Sequence, residues 1–509
     1  MRRLLAAVVL VAACGGGSKK KPDAGTDAPD GGTVETTCAT LPPSSTTCSV
    51  TAGSSTMLLE GNVVTPGMVF KGGQVAVDAT GKISCVGCDC AQGGETVIAC
   101  ADATISPGLI NTHDHITYAQ NSPYHDTGER YEDRQQWRIG LDGHTKIPAP
   151  GGATADQISW GELRFLMGGA TSTVGSGGQA GLLRNLDKST LLEGLTDKPV
   201  KFDTFPLGDS SGTRRTGDCN YGTQTLASAL SSVDSYEPHT SEGIDSFAHN
   251  EFLCESSDSY DTTTPGTSQD LTISKTAMIH AVALNVADYA QMAADNTALI
   301  WSPRSNITLY GDTARVTEAA RLGVEIALGT DWMPSGSMNM LRELRCADSY
   351  NSTYLDHFFS DEQLWQMVTS NAASVTATDS AIGTLATGKV ADISVFAAHG
   401  KDSYRAVLEA DPQDVALVMR GGKVLYGDDN IVGTLGTGCD TLDVCGSSKQ
   451  VCLMSEIGKN LAALQSSVGA SIYPAFVCGE PMNEPSCTPT RPTAVSNSTV
   501  SLRSGCAVP

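Results

Sequence analysis

Positive charge is scarce in this chain of 509 residues: 33 Lys and Arg stand against 56 Asp and Glu, a formal net charge of -23. A basic patch for nucleic acid or for an anionic membrane surface is therefore disfavoured, and a small-molecule or peptide substrate is left as the partner to expect. Long hydrophobic runs are missing too, and beyond the amino terminus no apolar stretch could cross a bilayer. Cys85-x-x-Cys88 lacks a second, distant cysteine pair to complete a zinc site, so this cluster, with Cys90 and Cys100, reads as disulfides.

What is present begins with Met1-Arg2-Arg3 and an apolar run over 4–13, the charged and hydrophobic regions of a secretory signal. Val11-Ala12-Ala13-Cys14 resembles the lipobox of bacterial lipoproteins. That resemblance implies a signal over 1–14 and an exported chain, lipid-anchored to the cell envelope at Cys14 and touching membrane only there. Residues 15–56 read as a disordered tether, most clearly the Gly-, Lys-, Pro- and Asp-rich part to about residue 32. Setting Cys14 aside leaves 15 of the 16 cysteines, an odd number. Several should pair in an oxidising compartment, in a connectivity that the sequence does not specify.

Short apolar runs alternate with glycine turns over 57–105, and the texture returns over 384–435, so the two segments should join in one small β-sandwich. Between them, 106–383 alternates strand candidates (169–174, 200–205, 278–282, 298–302 and 324–329) with helical stretches near 160–167, 286–295 and 313–321. Repeated β-then-α units imply a parallel sheet. If such a sheet closes into a barrel, functional residues belong at the carboxyl ends of its strands, and the polar residues do fall there: His113, His115, His280 and Asp331. His113 and His115 lie two apart after Leu109-Ile110, so on an extended chain both imidazoles face one way and can chelate a single divalent cation.

Four motifs carry a further resemblance: 106–115 (Ser-Pro-Gly-Leu-Ile-Asn-Thr-His-Asp-His), Pro238-His239-Thr240-Ser241-Glu242-Gly243, Trp301-Ser302-Pro303-Arg304-Ser305-Asn306 and Leu328-Gly329-Thr330-Asp331-Trp332, closed by 382–392. In this order they resemble the amidohydrolase superfamily, over about 57–430, and most closely its mononuclear cytosine deaminase and triazine hydrolase branch. The resemblance implies a (β/α)8 TIM barrel over 106–383, with the sandwich built from both flanks. It further implies one divalent ion, zinc first with iron or manganese as alternatives, held by His113, His115, His239 and Asp331, with His280 as ligand or neighbour. Asp331, Glu242 and His280 would be catalytic: Asp331 takes a proton from water, and Glu242 or His280 returns one to a leaving nitrogen. Lys201 would bridge a second metal only from the fourth strand. Its own strand reads as the third, so it is taken as structural.

The expected reaction is hydrolysis of a C–N bond in an amide, a cyclic amide or an amino-heterocycle. The alternatives are an ester, phosphotriester or aryl halide on the same machinery, or a lipid-anchored binding protein without activity. Residues 118–154 are too long for an ordinary loop and rich in aromatics, so they should cover the pocket mouth, with His125 not a ligand. His249-Asn250-Glu251 is expected at the surface. The Cys-rich extension 436–509, with one amphipathic stretch at 455–468, should be a disulfide-stapled accessory packed on the body.

Overall fold

The computed structural model describes residues 32–491 apart from 262, 264–266 and 402. The signal-like segment, Cys14 and Cys506 lie outside the described residues. Eight short parallel strands organise the rest: β1 (Leu109–Asn111), β2 (Ala170–Thr173), β3 (Arg184–Asn185), β4 (Lys201–Asp203), β5 (Tyr236–Thr240), β6 (Ala277–His280), β7 (Ala298–Trp301) and β8 (Ile326–Leu328). β1 to β3 form one parallel sheet and β4 to β8 another. Backbone hydrogen bonds join the two at both edges. Val200 N–H donates to Leu186 O at 2.9 Å between β3 and β4, and Thr112 N–H to Leu328 O at 3.3 Å between β1 and β8.

The alternation of a strand explains why these segments are apolar throughout yet end in polar groups. Ile110, Ile279, Ile300 and Ala327 belong to one core cluster. Their neighbours Leu109, Met278, Leu299 and Leu328 belong to another, with Leu163, Leu166, Leu341 and Leu344 of the surrounding helices. One set of side chains thus faces the interior of the ring and the other faces its helical jacket, so residues just past the strand ends are left to form a floor at one end.

β3 was not expected. It is two residues long, and Arg184 within it forms a buried two-point ion pair with Asp392, Nε to Oδ2 at 2.7 Å and Nη2 to Oδ1 at 2.9 Å. A strand that short and polar gives no apolar run to detect. Its presence moves Lys201 from the expected third strand to the fourth.

The segments flanking the ring do pair: Val395 stands opposite Ile105 in a mixed sheet of eleven strands. Two boundaries differ from expectation. The described part of the expected tether, 32–56, is ordered, with Val34–Thr37 beside Met68–Val77 and Ser49–Thr51 beside Thr96–Pro107. Cys38–Cys88 and Cys48–Cys100 hold it there, and such cross-links order a segment whose composition has no apolar period. At the other end the sheet does not stop at 435, because Asp440–Val444 and Ser447–Val451 extend it.

The rest of the extension packs on the body. The amphipathic stretch is two helices, Leu453–Ile457 and Leu461–Val468, parted by Gly458 at φ 69°. Cys439–Cys452 and Cys445–Cys478 staple it internally, and Cys346–Cys487 ties it to the helix Met340–Tyr354 of the ring jacket. Cys85 pairs with Cys90 and Cys219 with Cys254, so the cysteine cluster read as disulfides is bonded as such.

Candidate metal centre and active site

His113 and His115 emerge from β1, and Asp331 from the turn after β8. They meet because Gly329 has no side chain: a Cβ there would lie 2.6 Å from the His113 Cβ and 2.9 Å from its backbone. With that clash absent, Asp331 N–H donates to His113 O at 3.0 Å and His115 N–H to Asp331 O at 2.9 Å. His239 is the last residue but one of β5 and His280 ends β6. Several site residues occupy the left-handed region without being glycine: Ser241 at φ 53°, His280 at 72°, Ala281 at 50° and Asp331 at 62°. Such conformations cost about 1–3 kcal/mol each and persist where the surroundings fix them, typically at functional sites.

The four imidazoles pack with ring centroids 4.8–5.5 Å apart along the contacts of His113 and His239 with each other and with His115 and His280. Burial holds His113 and His280 near a pKa of about 3 and His115 near about 4, and keeps His239 well below the usual range, so all four rings are neutral at pH 7. His239 Nδ1 lies 3.2 Å from the Asp203 carbonyl, which places its proton on Nδ1 and a lone pair on Nε2. That lone pair faces His115 Nε2 at 3.2 Å. Both nitrogens of His113 are buried without a hydrogen-bond partner among the described residues. Asp331 Oδ1 lies 3.3 Å from His113 Nε2 and 3.6 Å from His115 Nε2, while its Oδ2 accepts from Ser305 Oγ at 2.5 Å.

Donor atoms of His113, His115 and Asp331 lie within 4.8 Å of one another, and so do those of His113, His239 and His280. Neutral, buried, unpartnered imidazole nitrogens converging beside a carboxylate fit a divalent cation, which would relieve the cost of leaving them unsatisfied, about 1–3 kcal/mol per group.

Two directed hydrogen-bond chains end on the groups that could move protons. Trp301 Nε1 donates to Thr313 Oγ1 at 2.7 Å, Thr313 to Asn306 Oδ1 at 3.2 Å, and Asn306 Nδ2 to His280 Nδ1 at 3.1 Å. His280 Nδ1 is therefore the acceptor and Nε2 carries the proton, so His280 suits the donor role better than the ligand role. In the second chain Trp137 Nε1 donates to Tyr310 Oη and Tyr310 to Glu242 Oε1, both at 2.8 Å. Burial pushes Glu242 up to about 8, a carboxyl that holds its proton at neutral pH. Its Oε2 lies 3.8 Å from His280 Nε2.

Lys201 points away from the imidazoles, its Nζ 4.9 Å from the Tyr236 ring centroid. The next residue, Phe202, faces them instead and stacks on His113 at 5.7 Å. An aromatic ring thus stands where a fourth-strand lysine would have to reach in. The structural reading of Lys201 survives, for a different reason from its expected strand number.

Residues 118–154 do contribute to the mouth. Tyr118, Arg134, Trp137, Arg138, Lys146 and Ile147 line a cavity of about 500 Å³ that has Glu242, His280 and Asp331 at its floor. His125 is exposed and takes no part. The lid docks on the turn after β5, where Arg134 N–H donates to Glu242 O at 3.1 Å and Ile244 N–H to Glu132 O at 2.7 Å. Gly243 permits this, since a Cβ there would lie 2.4 Å from Glu132 O. His249-Asn250-Glu251 is not a surface motif. Only His249 stays partly exposed, whereas Glu251 is buried, accepts from Ser241 N–H at 2.9 Å and lies 3.3 Å from Arg134.

Residues 221–425 match the amidohydrolase family model. The chain is 25% identical over 429 residues to the 5-methylthioadenosine/S-adenosylhomocysteine deaminase of Symbiobacterium thermophilum, covering 73% of this chain and 94% of that protein. A protein of the same description from Desulforudis audaxviator is 28% identical over 170 residues, a match that spans only 40% of its length and 30% of this chain. Among solved structures, a zinc-bound adenosine deaminase from Xanthomonas campestris superposes with a TM-score of 0.51 at 15% identity, covering 72% of this chain and 92% of that one. A zinc complex of atrazine chlorohydrolase from Arthrobacter aurescens TC1 gives 0.51 at 18% identity over 72% and 95%. These likenesses establish a shared fold.

Proposed function

We propose that this protein hydrolyses a C–N bond of a small molecule, an amide, a cyclic amide or an amino-heterocycle, and that its eight-stranded ring is a closed (β/α)8 barrel. The carrying observation is the convergence of His113, His115 and Asp331 donor atoms within 4.8 Å at the floor of the cavity. His113, His115, His239 and Asp331 would hold one divalent ion, zinc in the first instance, and Phe202 beside His113 leaves no reason for a second. When bound, the cation supplies Lewis acidity that lowers the pKa of a water from about 15.7 toward 7.

The remaining roles belong to the chain. Asp331, oriented by Ser305, takes a proton from the attacking water. His280, its Nδ1 filled by Asn306, offers an N–H from Nε2 to an oxygen at the reacting centre. Glu242, protonated at neutral pH and held by Tyr310, delivers a proton to the departing nitrogen. The deaminase description of the full-length relative supports this reading. The test is ammonia or amine release by the purified protein from amides, cyclic ureas, N-acyl amino acids and nucleobases, alongside metal analysis. Turnover that survives complete chelation, or a protein that binds no stoichiometric metal, overturns it.

The chain is further proposed to be exported and lipid-anchored through Cys14. Seven disulfides support an oxidising compartment. A Cys14→Ser protein that stays in the membrane fraction unchanged sinks the anchor.

A further inference from the structure

In a chain whose net charge is -23, the cavity mouth is lined by cations: Arg134, Arg138 and Lys146. Arg134 is matched, with Asp209 at 2.8 Å and Glu251 at 3.3 Å. Arg138 is not. Its Nε and Nη2 donate to Gln135 Oε1 at 3.0 and 2.6 Å and Nη2 to Ser210 O at 2.8 Å, all neutral acceptors, and Nη1 has no partner among the described residues. Lys146 has no ion pair among them either. The acidic side chains of the wall, Glu242 and Asp331, lie at the floor and are committed to the chemistry.

A half-buried guanidinium with no ion pair of its own among the described residues, only the longer-range pull of Asp209 and Glu242, is costly unless something supplies the charge. Arg138 is also fixed in place, its Cζ 4.7 Å from the centroid of the Phe205 ring, on which Arg134 also rests at 5.2 Å. Beside it the wall is aromatic and apolar. Trp137 and Trp332 lie 5.2 Å apart and Tyr118 packs edge-on to Trp332 at 5.4 Å. The free N–H donors of Arg138 Nη1, next to flat apolar walls, suit a carboxylate oxygen on a planar or apolar group. Cations at the mouth of an otherwise acidic molecule would also draw anions in.

We infer that the cavity takes a carboxylate-bearing substrate, a planar amide or amino-heterocycle whose carboxylate pairs with Arg138, with Lys146 assisting at the rim. The inference names the substrate class of the proposed hydrolase and rests on that reading only in calling the ligand a substrate.

The test compares two probes of one shape, benzoate and benzamide, binding to the intact protein, followed by calorimetry and by the fluorescence of Trp137 and Trp332. Benzoate should bind about tenfold tighter or more, with a preference that weakens as salt is added. Arg138→Gln should bring the two probes within about twofold, Arg138→Lys should keep part of the preference, and Lys146→Gln, at an exposed position, should reduce it less. The comparison is run with the metal loaded and with it stripped. Equal or tighter binding of benzamide overturns the inference, and so does a preference that survives Arg138→Gln. A preference that disappears on stripping the metal while Arg138→Gln has no effect also overturns it, because the carboxylate then sits at the floor. Turnover of neutral substrates without any benzoate preference removes this inference and leaves the hydrolase. A benzoate preference lost in Arg138→Gln, in a protein that turns nothing over, removes the hydrolase and leaves an anion-binding cavity.

Discussion

The strand ring and the mixed sheet are held together by different means. Of seven disulfides, Cys38–Cys88, Cys48–Cys100, Cys85–Cys90, Cys439–Cys452 and Cys445–Cys478 lie in the mixed sheet and its extension. Cys219–Cys254 closes a loop of the ring, and Cys346–Cys487 joins the two regions. No cysteine lines the cavity. The ring instead relies on apolar packing and on buried hydrogen-bond chains that end at His280 and Glu242. Covalent staples serve where a segment has little core to bury, and directed hydrogen bonds serve where side chains must be held in a chosen protonation state.

If that division is right, changes in the two regions should have separable effects. The largest is expected from His113→Ala or Asp331→Asn: loss of the stoichiometric metal and a fall in kcat/KM of about a thousandfold or more, with the circular dichroism spectrum unchanged. An active, metal-loaded Asp331→Asn protein would break the assignment. Glu242→Gln should lower kcat by about 10²–10⁴-fold while the metal stays bound, the signature of a lost proton transfer. Tyr310→Phe, which removes only the bond that orients Glu242, should cost less, about tenfold.

Acid offers a third separation. Burial lowers the folded pKa of His113, His115, His239 and His280 below the 6.5 of an exposed imidazole. Between pH of about 6.5 and about 4 these four rings therefore bind more protons in the unfolded chain than in the folded one, and their contribution to stability falls as the pH falls, while buried carboxyls such as Glu162, Glu242 and Glu343, pushed up by burial, act in the opposite sense. On acidification across that window the Tm of metal-stripped protein should therefore fall further, or rise less, than that of a His113→Asn protein. An unchanged slope would mean that these rings are not buried neutral in solution. The smallest effect at the site is expected from opening Cys38–Cys88 by Cys→Ser at both positions: about 2–4 kcal/mol of stability lost, with metal content and kcat retained. Loss of metal together with that bond would show that the two regions do not act separately.

The sequence disclosed the strand ends better than the strands. His113 and His115 could be placed because Ser-Pro-Gly breaks the chain ahead of a buried pair and their spacing puts both rings on one face. Asp331 followed from an apolar run ending in Gly-Thr-Asp. Arg184–Asn185 could not be seen, since two polar residues carry no period, and their absence from the count displaced Lys201 by one strand. Thr313 and Tyr310 escaped notice, and Asn306 was quoted in a motif without a role, for another reason. Their partners His280, Trp301 and Glu242 are close only once helix and strand have packed, and nothing local in Ser305-Asn306 indicates a ring nitrogen 3.1 Å away. Glu251 hid in the same way, on a helix whose polar face turns inward to Arg134 and Ser241. Arg134 lies within the aromatic-rich segment expected at the mouth, but its ion pair with Asp209 depends on a residue 75 positions later.

The bond between Cys346 and Cys487 closes a separation of 141 residues, and just beyond it Arg491 donates to Tyr310 O at 2.6 Å and to Tyr131 O at 3.0 Å. Tyr310 positions Glu242, and Tyr131 anchors the lid through a hydrogen bond from its N–H to Leu309 O at 2.9 Å. In a chain made from its amino terminus, the imidazoles, Glu242 and the lid can all be in place before residue 491 exists. The brace against Tyr310 arrives after them, so a product truncated ahead of residue 491 can have every side chain of the site and still lack the clasp on Tyr310 and Tyr131.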